Sequence, residues 1–214
     1  CWMSLFYNNH DNPRMVSKVT KEKAHHTALS KLLAVMQFTL KGTPFIFQGD
    51  EMGLANYPFT SMEQITDVEA KGYYAEHIKT EPEEKVFADI LAGTREHARV
   101  LLPWNRKLPP CHEGLYQKPK REVLAAYRSL LRLRHEEKAF VYGQFRVLCR
   151  RKNRFVYERT LDGRSYVIDC NLGKKPCPAY PLKGKWKVVF DTLQKKGAYG
   201  RMLEGYEARI VKKY

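Results

Sequence analysis

The sequence predicts an α/β protein in two parts. Residues 1–139 read as strand–helix units of a parallel sheet, and residues 140–214 as a small antiparallel β-domain. Three observations carry this. Two apolar, aromatic runs, "WMSLFY" and "PFIFQ", flank a stretch with helical apolar spacing, which is the order of a βα unit. Past Phe140 the pattern changes to short alternating runs separated by turns. The chain has 214 residues with 43% hydrophobic and 12% aromatic content, enough to build a core for one large domain or two small ones.

The elements follow in order. "WMSLFY", residues 2–7, is a buried-strand candidate that runs on into "NNHDNPR". From Thr20 to Leu40, Leu29, Leu32, Leu33, Met36 and Leu40 recur at helical spacing, and Gly42 is placed to end that helix. Pro44–Gln48 forms the second strand, and "GDEMGLANYPFTS" a polar loop. Thr60 with Glu63 has the spacing of a capping box, which predicts a helix start there. Thr80 with Glu83 repeats the signal, Pro82 suits a first helical turn, and Val86, Phe87, Ile90 and Leu91 supply an apolar face up to Gly93. "REHARVLLPWN" and "LPPCHEG" read as irregular loop. Residues 121–137 form another amphipathic helix, with Val123, Leu124, Tyr127, Leu130 and Leu131 on one side. "GQFRVLC", "RFVYERT", "SYVIDCN", "KWKVVFD" and "EARIVKK" are the expected strands of the β-domain.

Composition narrows the function. No apolar run is long enough to span a bilayer, and no charged segment followed by an apolar one opens the chain, so neither a membrane partner nor a secretion signal is expected. The chain opens on Cys1; unless Met3 is the start, it is expected to be a piece of something longer. Five cysteines without a C-x-x-C pair argue against a disulfide framework or zinc site and for reduced thiols in a cytoplasmic protein. No acidic loop with calcium-binding spacing is visible, so no metal ligand is named and calcium dependence stays open; no cofactor is expected. The net charge of +15 is uneven: residues 1–119 carry 14 Lys+Arg and 14 Asp+Glu, residues 120–214 carry 24 and 9. A basic surface of this kind reads either as a solvated face or as a contact for an anionic partner. Nucleic acid is not the expected partner, because no aromatic-interleaved recognition motif accompanies the charge.

The motifs, taken in order, resemble one family. "LFYNNHDNPR" is similar to the N-H-D region of the α-amylase superfamily of glycoside hydrolases. "GTPFIFQGDEMGL" resembles the segment around its last barrel strand. "ANYPFTSMEQITDVE", "REHARVLLPWN", "YRSLLRLRHEEKAFVYGQF" and "LEGYEARIVKK" resemble successive segments of its oligo-1,6-glucosidase branch. The resemblance implies the last two strands and helices of a (β/α)8 barrel followed by a small antiparallel β-sandwich. A complete barrel takes about 250 residues, so the first part of the barrel would have to come from elsewhere for the site to be complete.

The resemblance also implies roles. In such barrels, residues at the C-terminal strand ends face the active site. Asp11 matches the family's third carboxylate, which binds hydroxyls of the reacting glucose and stabilises the transition state; read without the family it is an ordinary turn or cap aspartate. His10 would hydrogen-bond a sugar hydroxyl in the same subsite, or simply pack against the strand end. Arg99 matches the arginine that closes the subsite floor, with Arg95 as the alternative carrier; in relatives that arginine pairs with an aspartate from the first part of the barrel. Glu69 matches an acceptor-side glutamate, with a plain helix-surface residue as the alternative. Asp50 and Glu51 are expected to be structural. Retaining glycosidases use a nucleophile and an acid/base carboxyl, and neither motif occurs in this sequence. Residues Val100, Leu101, Leu102 and Pro103 also depart from the family's loop motif. The implied activity is retaining α-glucosidase action on short oligosaccharides. A glucosyl-transferring relative, or a non-catalytic binding role for the basic β-domain, are the alternatives.

Overall fold

A computed structural model of the chain describes residues 2–102, 117–193 and 199–214. In chain order its elements are β1 (Ser4–Leu5), α1 (Met15–Val19), α2 (His26–Thr39), β2 (Thr43–Pro44), α3 (Val68–His77), α4 (Glu83–Gly93), α5 (Arg121–Glu136), α6 (Ala139–Tyr142), β3 (Gln144–Arg151), β4 (Arg154–Leu161), β5 (Arg164–Asn171), β6 (Cys177–Pro178), β7 (Trp186–Asp191), β8 (Met202–Leu203) and β9 (Ala208–Lys213). They form two compact units. The first comprises Cys1–Phe6, Glu22–Phe45 and Lys120–Tyr214; the second comprises Tyr7–Lys21 and Ile46–Pro119. The loop expected at "LPPCHEG", and Pro103 before it, lie outside the described residues.

In the first unit β1 and β2 pair in parallel, joined by α2. Each strand is only two residues long, shorter than the runs that predict it. A parallel strand is normally paired on both edges and covered on both faces. Among the described residues each has one partner, and Trp2, Met3, Phe6 and Phe45 remain exposed. The buried Gln37 of α2 ties the pair together: its Nε2 donates to the carbonyls of Leu5 (3.1 Å) and Phe45 (2.6 Å). Gly42 does not cap α2, which ends two residues earlier with Leu40 extended. The glycine is needed for close approach, since its φ is 148° and a Cβ would sit 2.3 Å from the Met3 carbonyl oxygen. The helix also starts later than its pattern, because Glu22 is extended and a 3₁₀ turn at Lys23–His25 precedes it.

The five predicted strands of the β-domain form one antiparallel sheet in the order β3-β4-β5-β9-β7; the short pair β6–β8 stands apart. Where a sandwich of two sheets was expected, one five-stranded sheet and a two-stranded ribbon are found among the described residues. Alternation explains the difference. Val156, Val167 and Val211 face one way, onto Leu148, Tyr180, Leu182 and Trp186. Tyr157, Tyr166, Ile168 and Ile210 face the other way and are fully buried there. That second face meets helices: the Tyr157 hydroxyl is 2.6 Å from Thr39 Oγ1 on α2, and the Phe140 ring of α6 packs on Tyr166. Helices therefore cover that face.

Two buried arginines hold α2 and α6 together. Arg134 NH1 donates to the carbonyls of Phe38 (2.7 Å) and Phe140 (2.9 Å), and NH2 to Gly42 (2.6 Å). Arg159, with no exposed surface, donates to the carbonyls of Thr39, Phe140 (3.0 Å) and Gly143 (3.0 Å). Neither has a carboxylate partner among the described residues. The last carbonyls of a helix have no partner within it and carry partial negative charge. Two guanidiniums with several donors each satisfy them at once. Burial lowers both pKa values, that of Arg159 to about 10, so Arg159 remains charged at neutral pH.

In the second unit, Tyr57, Phe59, Ile65, Ala70, Val86, Ile90 and Val100 form the core. Two helix starts differ from their capping signals. Residues 62–64 make only a 3₁₀ turn, because Gln64 rather than Glu63 turns back to Thr60 and the next residue, buried Ile65, is extended. The helix begins instead at Val68, with Asp67 Oδ2 accepting from the Ala70 N–H at 3.2 Å. α4 starts after Pro82 without a side-chain cap, since Glu83 is engaged by the Tyr74 hydroxyl at 2.7 Å.

Arg159→Met is expected to lower stability by on the order of 3 kcal/mol, because several buried carbonyls lose their donors. Arg159→Lys should recover little, as one ammonium cannot span the same carbonyls. Urea unfolding of the two variants checks both.

Candidate active site

Within the second unit, the segment after β1 is fixed by asparagines. Asn8 is buried; its Nδ2 donates to Asp50 Oδ1 (2.7 Å) and its Oδ1 accepts from the Met15 N–H (2.7 Å). Asn9 Oδ1 then accepts from the Asp11 N–H (2.9 Å) and from Asn12 Nδ2 (3.0 Å), closing an Asx turn. The turn leaves His10 and Asp11 at its tip, with side chains 70% and 51% exposed and His10 Nε2 3.1 Å from Asp11 Oδ2.

Asp11 meets two arginines. Arg99 NH2 donates to Asp11 Oδ1 at 3.2 Å while its Nε donates to the His10 carbonyl at 3.0 Å. Arg95 NH1 lies 3.7 Å from the same oxygen. Both guanidiniums also face Asp67, Arg95 Nε at 2.6 Å and Arg99 NH1 at 3.6 Å. Glu69 sits at the outer edge, 80% exposed and 3.6 Å from Arg95 NH2. The structure thus brings His10, Asp11, Arg95, Arg99 and Glu69 into one cluster. Within this chain the arginines pair with Asp11 and Asp67.

Asp67 was not singled out from the sequence, although its place directly before "VEA" is an N-cap signal. Burial would raise its pKa, but the Arg95 hydrogen bond, the Ala70 N–H and the two arginine charges outweigh that and hold it below the usual carboxylate range. The same hydrogen bond, donated by Arg95 Nε to Asp67 Oδ1, raises the Arg95 pKa. Buried Glu96 fixes the backbone beneath, accepting from Thr66 Oγ1 (2.7 Å) and the Asp67 N–H (3.1 Å). No local pattern marks Glu96, because its partners lie about thirty residues away.

Asp50 and Glu51 occupy scaffold positions. Arg14 is fully buried, with NH1 donating to the Gln48 carbonyl (2.9 Å) and to Asp50 Oδ1 (3.4 Å), and its guanidinium lies over the Phe47 ring at 4.9 Å. Glu51 Oε2 accepts from the Gly49 N–H at 2.9 Å. Burial pushes the Asp50 carboxyl up to about 6, against the opposing pull of Arg14 and Asn8.

Chemically, the cluster offers one exposed carboxylate held from behind. An ionised carboxylate has about four acceptor positions. The arginines contact Oδ1 of Asp11 and His10 contacts Oδ2, and the half-exposed carboxylate keeps lone pairs for hydroxyl donors. The guanidinium pair holds the carboxylate in one orientation.

A family model described as "Alpha amylase, catalytic domain" matches residues 1–143. The chain therefore belongs to the α-amylase family. Among curated relatives, the oligo-1,6-glucosidase of Halalkalibacterium halodurans is 29% identical over 98% of this chain and 42% of its own length. The palatinase of Erwinia rhapontici is 32% identical over 78% of this chain and 34% of its own. Among solved structures, the trehalulose synthase of Pseudomonas mesoacidophila superposes with a TM-score of 0.81 at 28% identity, over 99% of this chain and 43% of that one. The chain thus spans about two-fifths of the length of the first of these curated relatives and of that structure.

Asp50 gives a pH signature. Its folded pKa is raised above the unfolded value, so the folded state holds the proton more tightly. Its contribution to stability is fully present below about pH 4 and is lost as pH rises through about 6. Asp50→Asn, which keeps an acceptor for Asn8, should remove this component, an amplitude on the order of 3 kcal/mol. Unfolding free energies between pH 4 and pH 7 for both proteins check it.

Proposed function

We propose that the chain contributes the glucose-binding side of a retaining α-glucosidase of the oligo-1,6-glucosidase type, acting on α-linked glucose at the non-reducing ends of short oligosaccharides. The observation that carries this is the exposed Asp11 carboxylate, held by Arg99 and Arg95 beside His10 in a member of the α-amylase family. Glycoside cleavage passes through an oxocarbenium-like transition state, and hydrogen bonds to ring hydroxyls that strengthen there lower the barrier. In this reading Asp11 accepts such hydrogen bonds, and His10 donates one to a neighbouring hydroxyl. Arg99 and Arg95 hold the carboxylate, and Glu69 faces the acceptor side. The nucleophile and the acid/base come from segments whose motifs this sequence does not contain.

The test uses the full-length protein. Asp11→Asn should lower kcat roughly 10²-fold or more with a smaller change in KM, as expected for an interaction made in the transition state. Equal loss through KM alone would overturn the assignment. Residues 1–214 alone should release no aryl from an aryl α-glucoside; measurable turnover would refute the reading that both covalent-chemistry carboxylates lie elsewhere.

A second reading, glucosyl transfer in place of hydrolysis, is supported by the likeness to trehalulose and isomaltulose synthases. Product analysis with sucrose separates the two: glucose with fructose indicates hydrolysis, a rearranged disaccharide indicates transfer.

A further inference from the structure

The β-domain contains a cavity of about 860 Å³ that none of the residues around Asp11 lines. It lies at the ends of β3, β4 and β5, under the loop leading into β6. Its volume falls in the range of small-molecule sites. Pro176, Pro178, Tyr180 and Pro181 give it largely apolar walls. Five cationic side chains surround it, and two are already neutralised: Arg154 pairs with buried Asp169, and Lys174 with Glu22. The other three, Arg151, Lys152 and Lys175, are exposed at the cavity without a carboxylate partner among the described residues.

The recess is built in advance of any ligand. Asn171 is 1% exposed; its Nδ2 donates to the carbonyls of Lys175 (2.8 Å) and Glu204 (2.7 Å), and its Oδ1 accepts from the Gly173 N–H (3.0 Å). This fixes the loop that carries Lys174 and Lys175. Asp169 anchors the opposite wall by accepting from the Tyr180 N–H at 2.9 Å and from the Tyr199 hydroxyl. Three like charges at the mouth of one apolar recess repel each other, and an anion there removes the repulsion. Lysine and arginine favour phosphate oxygens, and the apolar walls favour a planar or aliphatic body.

We propose that this cavity binds a small organic phosphate, a phosphate monoester with an apolar or planar body. The site is independent of the sugar chemistry assigned above, so its failure and the failure of that assignment are distinguishable.

Native thiols report on occupancy. Cys149 and Cys177 line the cavity and are half-buried, with Arg154 donating to the Cys177 sulfur. Cys170 is fully buried with its pKa raised by burial, and serves as an unreactive control. The full-length protein is treated with iodoacetamide, with AMP as the probe, and alkylation is mapped by peptide mass. AMP should protect Cys149 and Cys177 saturably, and adenosine at least about tenfold more weakly. The triple variant Arg151→Ser, Lys152→Ser, Lys175→Ser should weaken AMP protection by at least about tenfold with an unchanged circular-dichroism spectrum. Four results would overturn the proposal. These are no protection at millimolar AMP, equal protection by adenosine, equal protection by inorganic phosphate, and protection by single-stranded RNA far below the AMP concentration needed. The last would mark a polyanion surface instead.

Discussion

Two buried guanidiniums with no carboxylate partner among the described residues, Arg134 and Arg159, are the constraint on which the first unit depends. Between them they take the carbonyls of Phe38, Thr39, Gly42, Phe140 and Gly143. These belong to the end of α2, the turn beyond it and the short α6. With those groups satisfied, α2 can end abruptly inside the protein and the chain can return as β2. The same helix carries Gln37, which aligns β1 with β2. The register of the parallel pair therefore rests on two arginines more than ninety residues away from it in sequence. Burial lowers both pKa values, that of Arg159 to about 10, which leaves Arg159 charged at neutral pH.

The second unit handles charge differently. Arg14 is equally buried but has Asp50 beside it, and both feel burial in opposite directions. Toward the exposed tip, Arg95 and Arg99 share Asp67 and Asp11. The gradient runs from a buried pair that holds the turn to an exposed pair that holds a carboxylate. Asn8, Asn9, Thr66 and Glu96 connect the two through backbone groups. Rigid backing of this kind keeps a binding carboxylate in one geometry.

Strand patterns of the β-domain were legible because period-two alternation is local: all five predicted runs are strands within one or two residues. The cluster of His10, Asp11, Arg95, Arg99 and Glu69 was legible through motif resemblance, which carries long-range placement that periodicity lacks. The helix expected from Thr60 failed because a capping-box spacing does not say which acceptor turns back, and Gln64 did. Asp67 and Glu96 stayed hidden for a related reason: their value lies in partners far along the chain. Of the expected sandwich, the described residues show one five-stranded sheet and the ribbon β6–β8, because alternation marks two buried faces but not what buries them.

The position of β9 has a consequence for synthesis. It is the last strand in this sequence, yet it lies between β5 and β7, pairing with both. On a ribosome, β3, β4 and β5 can meet as hairpins while β7 waits without a neighbour. The sheet closes only once residues 208–213 have emerged, and until then the apolar edge of β5 is an unpaired template. Loss of these few residues would leave a gap in the middle of the sheet, so a truncated product would be a target for quality control.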